Sequence, residues 1–192
     1  MARYVETKIR RLTREIAKID KFFYGGLQRD RVLYAGMLER KRDDIVRSVV
    51  LQLHTAIEDV LTSWITCRVL EIKAPEQRRA RSKAAHALRK VLSGSGSIGF
   101  DSKLNLAIAL RLISGRTRGR LAELNKLRNR CSHNWLLNVK VRRGKGRKGK
   151  KPPLLHFKGR DLHRAEVLTD FLGEYGPLYA KVWATYMSYR AR

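Results

Sequence analysis

From Leu27 to about Ile72 the chain keeps a single helical pattern, and no other feature limits its fold so strongly. Ile45, Val49, Leu53, Ile57, Val60, Leu61, Trp64 and Val69 recur at the three- and four-residue spacing that lines one face of a helix. Charges crowd the first half, from Glu39 to Arg47, and the second half is largely apolar. Such a half must bury itself against other helices, so the pattern predicts the central helix of an all-α bundle.

The rest of the chain supplies the partners. Ile9, Leu12, Ile16 and Ile19 predict a short helix within an N-terminal extension, residues 1–26, which Gly25-Gly26 ends. Pro75 suits a first helical turn, and the basic, alanine-rich run 76–92 follows it. Ser93 to Gly99 reads as a flexible loop. Asp101 or Ser102 can cap the next helix, which carries Leu104, Leu106, Ile108, Leu110, Leu112 and Ile113. Another helix follows Gly115–Gly119, and a last one runs from about Asp161 to Tyr189, kinked or split by Gly173, Gly176 and Pro177. Between these two the period changes. Leu137, Val139 and Val141 alternate with polar residues, and so do Leu155 and Phe157, which predicts a β-hairpin over about 136–160. With no internal repeat and no second core, residues 1–192 read as one domain of four to six helices with this hairpin inserted.

Charge points to a partner. Lys and Arg number 43 against 17 Asp and Glu, a formal net charge of +26 that no fold requires and that self-repulsion makes a burden. A polyanion is the expected partner. Nucleic acid comes before membrane, since no basic amphipathic anchor stands out and no run of apolar residues is long enough to span a bilayer. The predicted hairpin tip concentrates the charge: 8 of the 12 residues from Lys140 to Lys151 are Lys or Arg, and three are glycine. Arg142, Arg143, Lys145, Arg147, Lys148, Lys150 and Lys151 on a mobile tip would bind phosphates without regard to sequence and with strong salt dependence. A solvated loop is the plainer reading of the same run. Cys67 and Cys131 fall in helical apolar patterns without CxxC spacing and read as reduced core thiols. The N-terminal residues lack an apolar secretory segment, so the expected location is cytoplasmic. His86, His156 and His163 show no metal-ligand spacing, and neither a metal nor another cofactor is expected. His54 reads as a core or hydrogen-bonding histidine.

Chemistry concentrates in Leu127-Arg-Asn-Arg-Cys-Ser-His-Asn-Trp135. On a helix Asn129 and His133 lie about 40° apart on one face. Leu121, Leu124, Leu127, Cys131 and Trp135 fill the apolar arc, and Arg128 falls inside it, roughly 40° from Leu124. A guanidinium there must be paired or open onto a polar cleft. Cleavage of RNA without metal needs proton transfer at the 2′-hydroxyl and the leaving 5′-oxygen, and stabilisation of the phosphorane. Histidine can serve the first need and the arginine fork the second, with asparagine orienting them. Arg128 and His133 splay by roughly 140° on one straight helix, so two copies across a twofold axis would be needed to converge on one phosphate. The same spacing fits a structural role, in which Arg128 pairs with a buried acid such as Glu58 and His133 is a cap or surface residue.

Leu127-Arg-Asn-Arg-Cys-Ser-His133 resembles the signature of the HEPN (higher eukaryotes and prokaryotes nucleotide-binding) domain superfamily: an arginine, a polar residue directly after it, and a histidine a few positions on. Arg128, Asn129 and His133 match those positions. The long helix containing Ala-Ile-Glu-Asp-Val-Leu (56–61) also looks like that bundle, and the resemblance covers roughly 30–135 and the last helix. It implies a helical bundle that dimerises so that two motifs share a cleft. It also implies a metal-independent endoribonuclease, acting as a toxin or as an antiphage or stress effector, with Arg128 and His133 as the catalytic pair and 2′,3′-cyclic phosphate ends. RNA is then the substrate, a homodimer the active form, and an antitoxin or regulatory partner protein is allowed. Other members of the superfamily lack activity and act as nucleic-acid-binding or scaffold proteins, which is the alternative here. One toxin subfamily has a tyrosine two places after the histidine; this chain has Trp135, placed to edge the cleft.

Overall fold

The computed structural model describes residues 14–19, 28–72, 81–93, 98–141 and 155–191, with 7, 10, 11, 21 and 77; for 28–39 and 133–141 it describes the backbone. Among the described residues five helices are bounded: α1 (Gln28–Val69), α2 (Ser82–Ser93), α3 (Phe100–Ala109), α4 (Gly115–Val141) and α5 (Ala165–Ala191). One antiparallel hairpin, β1 (His156–Phe157) with β2 (Arg160–Asp161), lies between α4 and α5. The protein is therefore all-α with an inserted β-hairpin. Residues 14–19 are helical, with Ile16 and Ile19 buried.

The helix ends follow local chemistry. Two of them close in the same way without glycine. Glu71 (φ 53°) and Arg111 (φ 57°) adopt the left-handed conformation. Beyond them Ile72 N–H donates to Cys67 O (2.8 Å) and Leu112 N–H to Ala107 O (2.8 Å), the six-to-one bond that satisfies the last carbonyls. Leu112 and Ile113 thus lie beyond α3 rather than on it. Neither Asp101 nor Ser102 caps that helix: Gly99 precedes it with no side-chain cap. Ser114 caps α4 instead, its Oγ accepting from Thr117 N–H at 3.3 Å, so the helix starts at Gly115.

The hairpin is smaller than the alternation predicted. Residues 137–141 are helical, the last turn of α4, and not a strand. Extending a helix gains one backbone bond per residue fixed, whereas a strand gains none until a partner arrives. The paired strands are His156↔Asp161 and Phe157↔Arg160, joined by Lys158 (φ 49°) and Gly159 (φ 76°). Two positive φ values in a two-residue loop give the turn whose twist matches that of the flanking strands. The basic tip, with Arg142, Arg143, Lys145, Arg147, Lys148, Lys150 and Lys151, lies outside the described residues, as does Pro75. The last helix begins at Ala165, four residues later than predicted, and is continuous through Gly173, Gly176 and Pro177.

The chain divides into two compact units, residues 1–53 with 126–176, and residues 54–125 with 177–192. In the first, Ile45, Val49 and Leu53 of α1 are buried, as are Leu127 and Cys131 of α4. An aromatic cluster anchors the hairpin: Phe157 meets Phe171 edge-on at 5.5 Å, and Phe171 lies 4.9 Å from Tyr175. In the second, Ile57, Leu61 and Trp64 continue the α1 stripe, and Trp64 lies 6.5 Å from Tyr186. Each fully buried large apolar side chain contributes roughly 1.5–3 kcal/mol. The stripe stops short of its predicted end, since Val69 is 45% exposed. Both cysteines are buried free thiols. No helix among the described residues is long and apolar enough to cross a membrane.

Candidate functional site

Helix α4 carries the whole Arg128–His133 segment on unbroken helical backbone, so the angular separations expected from the sequence apply along it. Leu121, Leu124, Leu127 and Cys131 are buried, and Arg128 in the middle of their arc is half-buried. Its Nη1 donates to Asn129 Oδ1 at 3.1 Å. The structure therefore brings Arg128 and Asn129 together. The side chains of His133 and Trp135 lie outside the described residues. Lys126 and Arg130, on either side of the pair, are exposed.

Glu58 does not serve Arg128. Its Oε1 accepts from Lys103 Nζ, and its Oε2 lies 3.7 Å from His54 Nδ1. Lys103 and His54 are both almost fully buried, and this polar cluster belongs to the second unit. His54 Nε2 donates to Asn125 Oδ1 (3.2 Å), and Asn125 Nδ2 donates to Asp101 Oδ2 (3.2 Å). His54 has the hydrogen-bonding core role expected of it, packed 4.3 Å from the Phe100 ring. Asp59 beside Glu58 is held above the usual carboxylate range by burial and by the Glu58 charge, against the pull of Lys103. Among the described residues no carboxylate pairs with Arg128, and the segment 133–154 contains no Asp or Glu. Arg128 thus sits within the apolar arc, and among the described residues no acid accounts for its charge.

A second set of charges lies in the same unit as the motif. Arg47 of α1 is 7% exposed. Its Nε donates to Asp43 Oδ2 (2.6 Å), and its Nη1 reaches the backbone carbonyl of Cys131, inside the motif (2.5 Å). The other oxygen of Asp43 accepts from His163 Nε2 at 2.9 Å. Asp161 Oδ1 accepts from His163 Nδ1 at 2.8 Å and from the His163 backbone N–H at 3.0 Å. Arg42 lies 3.9 Å from the remaining Asp161 oxygen. Signs alternate along this chain from Cys131 to Arg42. Burial works against a charged His163, but the two carboxylates outweigh it and hold the ring more basic than free histidine. Burial likewise opposes the charges of Asp43 and Asp161, and bonds from His163, with Arg47 at Asp43, hold both below the usual carboxylate range. The Cys131 thiol is pushed up to about 11 by burial, against Arg47.

Sequence reasoning missed His163 and Arg47. The available signals were local and weak: an Asp-x-His at 161–163, and an Asp four residues before an Arg on the charged half of α1. With both ring nitrogens bound to carboxylates, His163 has none free to take a proton from a substrate. Among the described residues no three His, Cys, Asp or Glu side chains converge as a metal-binding group. Comparison with protein-family models, with curated proteins and with solved structures gives no match to this chain.

Proposed function

We propose that the chain is an endoribonuclease of HEPN type that cleaves RNA by attack of the 2′-hydroxyl and needs no metal. Arg128 stabilises the phosphorane, His133 transfers the proton, and Asn129 orients them. The observation that carries this reading is the charge of Arg128, which no acid claims among the described residues. Its guanidinium sits half-buried, held at one nitrogen by Asn129, with no described acid to neutralise it. A buried structural arginine is normally paired, because desolvating an unpaired charge is expensive. An arginine steadied by a neutral amide keeps its fork for a phosphate. Exposed Lys126 and Arg130, and the net charge of +26, favour a polyanionic substrate. A homodimer would set two Arg128–His133 pairs against one phosphate, and the basic 142–151 run would hold the strand.

The test is cleavage of labelled total RNA by wild type and His133→Ala in EDTA, with product ends mapped and helicity compared by circular dichroism. Cyclic-phosphate ends that disappear in the variant are the expected result. Intact RNA with tight, salt-sensitive binding by both proteins refutes catalysis and assigns the chain to the non-catalytic nucleic-acid-binding or scaffold class.

A further inference from the structure

We infer that Arg47, steadied by Asp43 and His163, is a positioning residue that fixes the motif turn Arg128–Ser132 through the carbonyl of Cys131. Its consequence for cleavage rests on the ribonuclease reading; its structural content does not.

The carbonyl of Cys131 lies inside α4, where the helix itself supplies one donor from four residues on. A carbonyl has a second lone pair, and Arg47 fills it at 2.5 Å from 84 positions away. The adjoining turn is tied down as well, since Ser132 Oγ donates to Arg128 O at 3.2 Å. Neutralising a buried Arg47 would require only Asp43. The extra bond to Cys131 engages a specific point on α4, three residues after Arg128 and two before His133. One residue of slip along a helix turns every side chain by about 100°, enough to carry Arg128 out of its arc. Holding one carbonyl from a fixed guanidinium forbids that slip.

The guanidinium is itself fixed. Asp43 binds it from one turn earlier on α1, and the second Asp43 oxygen is held by His163, which Asp161 of β2 orients through two bonds. His163 is bonded to Asp43 of α1 and Asp161 of β2, and those acids in turn meet Arg47 and Arg42 of α1. The relay links the hairpin to the motif helix within one compact unit.

Cys131 supplies a readout that needs no activity, because the residue is 2% exposed and its thiol lies at the bonded position. Cys67, 6% exposed in the other unit, serves as the internal control. The full chain and Arg47→Lys would be alkylated with iodoacetamide at pH 8 and the two thiols followed by peptide mass spectrometry. Lysine keeps the charge but cannot bond Asp43 and the carbonyl through one planar fork. The expected result is labelling of Cys131 about tenfold faster or more, with Cys67 unchanged. His163→Gln should accelerate Cys131 in the same direction by a smaller factor. Unchanged labelling of Cys131 in both variants overturns the proposal. Equal acceleration of both thiols also overturns it, by making Arg47 a residue of general stability. With an active enzyme, Arg47→Lys should lower kcat at least tenfold while KM stays within about twofold; an unmoved kcat beside selective release of Cys131 would refute the positioning role. Selective release in a chain whose wild type leaves RNA intact would uphold the relay and refute the ribonuclease reading instead.

Discussion

Replacing His163 by alanine tests the charge relay most directly, because it leaves two carboxylates facing a hole where a cation stood. The ring is 11% exposed, and the side chains of Asp43 and Asp161 are 30% and 26% exposed. Removing one partner of a buried pair costs about 3–5 kcal/mol, and partial access of water to both acids brings the expected loss to about 2–4 kcal/mol. For a chain of this length that corresponds to a fall in Tm of roughly 4–16 °C. The loss should depend on pH in a defined way. Because His163 is held above 6.5, its contribution is complete below about pH 6.5 and fades as pH rises through the folded value. Asp43 and Asp161 are held below 3.8, so theirs is complete above about pH 3.8 and fades as pH falls through their folded values. The gap between wild type and His163→Ala should therefore be widest between about pH 4 and 6.5 and narrow on both sides. Urea unfolding at about pH 2.5, 6 and 9, followed by far-ultraviolet circular dichroism, measures it. A gap under about 0.5 kcal/mol at pH 6, or one that widens from pH 6 to 9, would refute a charged histidine bridging the two acids.

Three further expectations concern buried contacts and backbone strain within the separate units. Phe171→Ala, which removes a fully buried ring from contact with Phe157 and Tyr175, should lower stability by about 3–5 kcal/mol in urea titrations, and a loss below 1 kcal/mol would contradict the packing. Lys103→Met should cost about 3–5 kcal/mol by stranding Glu58, and adding Glu58→Gln should recover part of it; strictly additive losses in a double-mutant cycle would show that the pair is not coupled. At Gly159 (φ +76°) a Cβ would meet nothing within 4 Å, so in thermal melts Gly159→Ala should cost about 1–2 kcal/mol through backbone strain alone and Gly159→Asn less; equal losses would contradict strain as the cause.

Periodicity made α1 legible because an apolar stripe at 3.6-residue spacing has one low-energy use, and the buried side chains of Ile45, Val49, Leu53, Ile57, Leu61 and Trp64 follow it. The place of Arg128 in the apolar arc was legible for the same reason. Its lack of a described acidic partner was not, because Glu58 was an equally good candidate until Lys103 took it. The strand expected at 137–141 failed because five residues of alternation are weaker than a helix already propagating from Gly115. The glycine-free helix ends at Glu71 and Arg111 carried no compositional signal at all.

Local chemistry written along the chain determined the helical class, the burial of both cysteines, the excess of positive charge and the single segment where arginine, asparagine and histidine meet on one helix. Those properties depend on residues within a few turns of one another. Tertiary structure alone decided how the local pairs Asp43–Arg47 and Asp161–His163 join each other and the motif helix. Asp43 and His163 are 120 positions apart and Arg47 and Cys131 are 84 apart. Hydrogen bonds are directional and short-ranged, so partners so distant in sequence are fixed only when packed helices bring them within 3 Å.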